Sequence, residues 1–207
     1  MDFLIFVSWV AAAIGMTTTM PQLVRMLRTK ATAGVSTKLW QLNLLCAFGW
    51  AFHGFLIDVP ALLWPNLLVS MMQTFVLWLI CANEGTSWRR TMALPVVGAL
   101  VLIAADVVFG SAVFGLIALF PQLTGQASQL LVMRRATDLH GVSPAYLGLT
   151  MVGQGLWATW GLSTGDAATT FSSGPATILV ACSLMYYAHR RFALARVRET
   201  VVIQVAA

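Results

Sequence analysis

The chain has 207 residues, of which 59% are hydrophobic and 9% charged, with a mean hydropathy of +0.82; that is too little charge to solvate a globular surface of this size and excludes a soluble domain. The formal net charge of +5 does not point to nucleic acid, because basic residues beside long apolar runs mark the cytoplasmic side of a membrane. The three cysteines, Cys46, Cys81 and Cys182, all lie within apolar runs, which provides neither a disulfide framework nor a metal site.

A bilayer core about 30 Å thick takes roughly 20 helical residues, and seven apolar runs near that length can be marked off, at 3–27, 37–57, 60–82, 91–108, 111–133, 144–162 and 167–188. The first lacks the basic n-region of a signal peptide and reads as a span. Near its end stand Pro21 and Gln22, followed by Arg25, Arg28 and Lys30. A proline inside a helix removes a backbone hydrogen bond, and in a membrane the freed carbonyl needs another partner; the pair therefore reads as a hinge with its own amide, or as a static kink. The second run carries Asn43, Trp50 and His53. In the third, Asn66, Ser70 and Gln73 stand at i, i+4 and i+7, on one helical face. Such a face points at protein or water rather than lipid, either lining a cavity or bonding to a neighbouring helix.

The fourth run is short, contains Pro95 and is separated from the fifth only by Asp106 and Gly110, so one merged span is a competing reading. The fifth holds Pro121 nearer mid-membrane, then Ser128 and Gln129 before Arg134 and Arg135. The sixth holds Thr150, Gln154, Trp157 and Trp160, and the seventh Ser173 and Thr177. Trp50 and Trp157 offer flat apolar faces with an N–H donor, suited to stacking on the C–H side of a sugar ring. Trp40, Trp64 and Trp88 lie close to expected interfaces, where aromatic residues anchor. Asp58, Asp106 and Asp166 fall near the outer ends of the runs and read as exposed, and no ionisable residue is expected at mid-membrane.

Charge placement decides between seven spans and six. With seven, all twelve basic residues, from Arg25 through Arg198, fall on one side, and the opposite ends carry only Asp2, Asp58, Asp106 and Asp166. Merging the fourth and fifth runs would throw the last six basic residues outside, against the rule that Lys and Arg stay cytoplasmic. The expectation is therefore an all-α integral membrane protein with the N-terminus out and the C-terminus in.

A repeat underlies this order. A shift of 107 residues places Gln22 on Gln129, Arg28 on Arg135, Gly34-Val35-Ser36 on Gly141-Val142-Ser143, Trp50 on Trp157, Gly54 on Gly161, Asn43 on Thr150, Asn66 on Ser173 and Ser70 on Thr177. It also places His53 on Trp160, a candidate outer gate. Pro21 falls on Ser128, so the second Pro-Gln pair, Pro121-Gln122, lies two turns out of register and is a decoy. The division is triple-helix repeat 1 at 1–83, a linker helix at 84–108, repeat 2 at 109–190 and a cytoplasmic tail at 191–207. The odd linker leaves both three-helix bundles in the same orientation, a parallel 3+1+3 repeat with its axis along the membrane normal.

Three spans, a linker and three spans, with Pro-Gln followed by a basic turn and Gly-Val-Ser, resemble the PQ-loop superfamily, and the tryptophan sixteen residues before Asn66 or Ser173 is most similar to the SWEET and SemiSWEET sugar transporters. The resemblance implies that Trp50, Trp157, Asn66 and Ser173 surround the solute, with Ser173 standing where family members carry a second Asn. Asn43, Ser70, Gln73, Thr150, Gln154 and Thr177 are then cavity-lining candidates. Pro21, Gln22, Ser128, Gln129, Pro121, His53 and Trp160 are gate or hinge candidates.

The implied function is facilitative, alternating-access uniport of a small neutral polar solute, a mono- or disaccharide, in the plasma membrane. There is no phosphate-binding glycine loop and no nucleophile with a base at a recognisable spacing, so no enzymatic activity, cofactor or metal is expected. The expected partners are the solute and membrane lipid, not nucleic acid; two tandem repeats suffice in one chain, and a homo-oligomer is left open. The alternatives are export of amino acids or other small solutes, which in proton-linked form would want an intramembrane acid, and a non-transport receptor or structural partner.

Overall fold

The computed structural model describes residues 2–29, 37–135, 139 and 143–206, leaving aside the side chains at 18–19, 21–23, 25–27, 29, 128–129, 132 and 194–206. Those residues form seven helices: α1 (Asp2–Thr29), α2 (Thr37–Leu56), α3 (Pro60–Glu84), α4 (Trp88–Phe109), α5 (Ser111–Arg135), α6 (Pro144–Thr164) and α7 (Ala167–Ala206). The starts of α3 and α6 follow from Pro60 and Pro144, because a first-turn residue has no intrahelical N–H bond to lose. Ser143 caps α6 by accepting the Tyr146 N–H at 3.2 Å.

The break between α4 and α5 rests on one residue. Gly110 takes φ 87° and ψ 172°, a region essentially closed to residues with a Cβ. α4 and α5 are therefore two helices packed on one another rather than one continuous helix.

Within the first three helices α3 lies between α1 and α2, and within the last three α7 lies between α5 and α6. The two groups meet through α1 against α6 and α2 against α5. Exchanging the groups turns one of these contacts into the other, as a two-fold axis between them requires. α4 packs on α2, α5 and the edge of α3, with Leu102 and Ala99 of α4 buried beside Leu45, Phe114 and Ala168.

The repeat register is visible in the backbone. A Cβ on Gly54 would sit 2.7 Å from both the Leu62 Cβ and the Leu63 backbone N; a Cβ on Gly161 would collide with the Thr169 hydroxyl and lie 2.8 Å from the Thr170 backbone N. Each of these positions in the second crossing is 107 residues beyond its counterpart in the first. The turn residues Asp58 (φ 52°) and Gly165 (φ 76°) are both left-handed at the same offset.

Three expectations change. α7 continues helically to Ala206, through the segment read as a tail from 191, because "RRFALARVRETVVIQVA" contains helix formers and no Gly or Pro. Glu84 closes α3, and the fourth helix starts at Trp88, earlier than the apolar run itself. Trp40 is buried against Leu44, Val76, Leu77 and Ile80 rather than anchored at an interface, whereas Trp64 and Trp88 are exposed. Among the described residues α3, α4 and Ala167–Ala193 of α7 are long and apolar enough to cross a membrane.

Candidate functional site

A cavity of about 220 Å³ opens between the two helix groups. Its wall takes Ala12, Gly15 and Met16 from α1, Trp50 from α2, Pro65 and Asn66 from α3, Gln122 from α5, Gln154 and Trp157 from α6, and Thr169, Ser172 and Ser173 from α7. Six helices contribute and α4 provides none of these residues. The four residues assigned to the solute from the sequence, Trp50, Asn66, Trp157 and Ser173, thus line one cavity.

The wall is symmetric in position but not in chemistry. Gly15 and Gln122, Trp50 and Trp157, Leu62 and Thr169, Pro65 and Ser172, and Asn66 and Ser173 are five lining pairs, each 107 residues apart. In three of them the first member is Gly, Leu or Pro and the second is Gln, Thr or Ser. Apart from Asn66, the first repeat therefore presents apolar residues and the second hydrogen-bonding ones, with a tryptophan on each side. Among the described residues no lining side chain carries a charge.

Each indole is held by the residue three positions on in its own helix. Trp50 meets the His53 ring edge-on at 5.7 Å and Phe114 at 4.9 Å; Trp157 meets Trp160 edge-on at 5.7 Å. Asn66 commits an amide N–H to the Leu62 carbonyl at 2.8 Å, and Ser172 donates to the Ala168 carbonyl at 2.8 Å.

Directly beyond Trp50, at the end of the bundle where α2 and α6 finish, His53 is fully buried between two carboxylates. Its Nδ1 lies 2.8 Å from Asp106 Oδ2 and its Nε2 lies 3.2 Å from Asp166 Oδ1, while Phe114 stacks on the ring at 4.9 Å. Asp166 also accepts the Thr169 backbone N–H at 2.9 Å and its hydroxyl at 2.7 Å. Burial alone would raise the Asp166 pKa, but the bonds from His53 and Thr169 outweigh it and hold the group below the usual carboxylate range. The expectation that Asp106 is exposed is corrected: it is 7% exposed, because α4 turns it toward α2 and the imidazole replaces its hydration. Asp166 is half-buried, and Asp58 is exposed as expected.

Of the remaining candidates, Gln154 is on the cavity wall and five others lie off it. Ser70 and Gln73 are buried within the α2–α3 side of the bundle, Ser70 donating back to the Asn66 carbonyl at 2.7 Å and Gln73 keeping a buried Oε1 without a partner among the described residues. Thr150 and Thr177 donate to the carbonyls of Tyr146 and Ser173, and Asn43 is exposed. These hydroxyls are spent inside their own helices, which explains why the polar stripe continues beyond the cavity. Trp160 is buried with Val7 and Leu62, so His53 and Trp160 each support a tryptophan. The α1 backbone runs helically through Pro21 and Gln22, and α5 through Pro121, Ser128 and Gln129; the side chains of Pro21, Gln22, Ser128 and Gln129 lie outside the described residues. Sequence reasoning missed Gln122, Thr169 and Ser172. The register that paired Asn66 with Ser173 also pairs these three with Gly15, Leu62 and Pro65, which was the signal for finding them.

Residues 3–85 match the family model described as "Sugar efflux transporter for intercellular exchange". Among solved structures the chain is similar to a eukaryotic SWEET transporter, with a TM-score of 0.70 at 16% identity over 90% of this chain and 98% of that one; at that identity the likeness is one of fold. No curated protein matches the sequence.

Proposed function

We propose that this chain, SWEET-like in its first repeat and in its fold, is a facilitative transporter that moves a mono- or disaccharide across the plasma membrane by alternating access. The observation that carries the reading is the uncharged cavity between the two helix groups, with a tryptophan on each side and hydrogen-bonding groups concentrated on one wall. A pyranose has an apolar C–H face and a rim of hydroxyls. Trp50 and Trp157 stack on the former; Asn66, Gln122, Gln154, Thr169, Ser172 and Ser173 bond the latter. In this reading the hydroxyl-rich edge of the sugar faces α5 and α7, and Ser173, shorter than Asn66, leaves room on that side.

All seven helices cross the bilayer in this account, N-terminus out and C-terminus in, with the basic ends cytoplasmic. α1–α3 and α5–α7 are the two rocking units and α4 is the linker that keeps them parallel. Gln22, hinged at Pro21, and Gln129 close the cytoplasmic mouth, and the His53 end closes the outer one. Uniport follows from a solute path without a charged wall.

Uptake of a panel of labelled sugars and amino acids into proteoliposomes, with and without a pH gradient, tests the proposal. Sugar entry that equilibrates in either direction without a gradient supports it; entry of amino acids alone refutes it. For orientation, Ser163→Cys, at the exposed end of α6, should react with an impermeant maleimide from outside cells. Arg89→Cys should react only after permeabilisation.

A further inference from the structure

The His53 cluster has a proton requirement that follows from its geometry. Both ring nitrogens are within hydrogen-bond distance of a carboxylate oxygen, Asp106 on one side and Asp166 on the other. A neutral imidazole has one N–H and one lone pair, and an ionised carboxylate only accepts. One of the two contacts would then set lone pair against lone pair. The closed arrangement is satisfied only when one further proton is present, making the ring an imidazolium that donates to both acids. We propose that His53, Asp106 and Asp166 form a proton-binding latch that holds the outer end of the cavity shut and releases when its proton leaves.

The three groups belong to different moving parts. His53 is on α2 in the first unit, Asp106 on the linker helix α4, and Asp166 in the turn between α6 and α7 of the second unit. Separating the two units at this end parts Asp166 from His53 and leaves His53 with Asp106 alone, a pair that a neutral ring satisfies through its Nδ1–H. The open end therefore holds one proton fewer. By linkage the state that binds the proton more tightly is favoured by protons, so the end is closed at low pH and opens as pH rises.

Besides these three groups, Asp2 stands exposed at the start of α1, which packs on α6, and His189, Arg190 and Arg191 lie in the later part of α7, away from Asp166. The elements packed on α2 contribute Cys81 and Glu84 at the far end of α3, Arg89 and Arg90 at the far end of α4, and Arg134 and Arg135 at the far end of α5. On α2 itself Lys38 and Cys46 lie a turn or more away, and Asp58 is exposed. The latch also touches the cavity at two places, through the Trp50 ring against His53 and through the Thr169 hydroxyl on Asp166. A solute that takes the Thr169 hydroxyl thereby removes one of the bonds that hold Asp166.

The inference rests on the transporter reading for what is moved, but its test does not. Spin labels at Phe55→Cys and Leu162→Cys, equivalent exposed positions at the ends of α2 and α6, report the opening of this end in the full chain in lipid nanodiscs, with Cys46, Cys81 and Cys182 replaced by alanine. Between about pH 5 and about pH 9, the wild-type latch should show the ratio of long to short distances rising by about tenfold or more. Asp106→Asn supplies a donor to Nδ1, so a neutral ring satisfies both contacts and the short distance should persist across the range. Asp166→Asn follows the same logic and serves if the first variant does not fold. A wild-type distance that does not change with pH, or an Asp→Asn variant that titrates like wild type, would overturn the latch. A chain that moves no sugar would still show the titration, whereas a sugar transporter with a fixed distance would lose only this inference.

Discussion

Gln122 and Gly15 occupy matching positions on opposite sides of the cavity, and the difference between them states the chemistry of the site at its smallest scale. The second repeat places an amide where the first has no side chain. If the hydroxyls of the solute face α5 and α7, Gln122→Ala should raise the KM for sugar by about tenfold, the equivalent of a hydrogen bond worth about 1–1.5 kcal/mol, with a smaller change in maximum rate. Zero-trans uptake kinetics measure both, and an unchanged KM would move the polar contact elsewhere. The tryptophan pair and the Asn66/Ser173 pair were legible in the sequence because both members keep a recognisable side chain across the repeat. Gln122, Thr169 and Ser172 were not, since a Gly, a Leu and a Pro stand opposite them and the similarity that marks a pair is absent. The His53 cluster was hidden for a different reason. Its members come from α2, α4 and the α6–α7 turn, and an acid near the end of an apolar run reads as solvated until the helix packing shows an imidazole against it.

Gly54 and Gly161 let each unit's second helix pack directly on the start of its third. Because the atoms a Cβ would meet at Gly54 include the Leu63 backbone N, which cannot rotate away, Gly54→Ala should cost about 1–3 kcal/mol. Gly148, with open space around it, is the control: Gly148→Ala should be neutral or stabilising by about 0.5–1 kcal/mol. Thermal unfolding in detergent with both variants separates backbone crowding from helix propensity, and equal melting temperatures would refute the crossing as described. The first helix offers a kinetic counterpart. If Pro21 is the hinge of the cytoplasmic mouth, Pro21→Ala restores a backbone donor and stiffens α1; maximum transport rate should fall several-fold with KM nearly unchanged, as for a gating step. Ser128→Ala, at the matching place in α5, should change neither. Element boundaries were readable wherever Pro or Gly punctuates the chain, as at Pro60, Gly110 and Pro144. The end of α7 was not, because a change from apolar to basic composition is compatible with continued helix and only a backbone signal would have stopped it.

At the scale of the whole molecule, α1 meets α6 and α2 meets α5, and the space enclosed by these contacts holds the cavity with one tryptophan from each unit. The repeat in the sequence marked which positions correspond in the two units, but not which helices touch, since that depends on how the units pack on one another. In the proposed transporter the basic residues sorted to one side mark the cytoplasmic face, and a wall whose described residues carry no charge suits a neutral solute better than an ion. Each indole is fixed by an edge-on neighbour, so removing both should abolish the stacking platform without unfolding the bundle, at a cost of about 1–3 kcal/mol of solute binding or more. The central claim is that a sugar passes between the two units through this cavity. Exchange of labelled sugar by purified wild-type protein and by the Trp50→Ala, Trp157→Ala double variant in proteoliposomes, with melting temperature recorded for both, tests it most directly: the account predicts exchange in the wild type and a loss of about tenfold or more in a folded double variant, and wild-type exchange by that variant would contradict it.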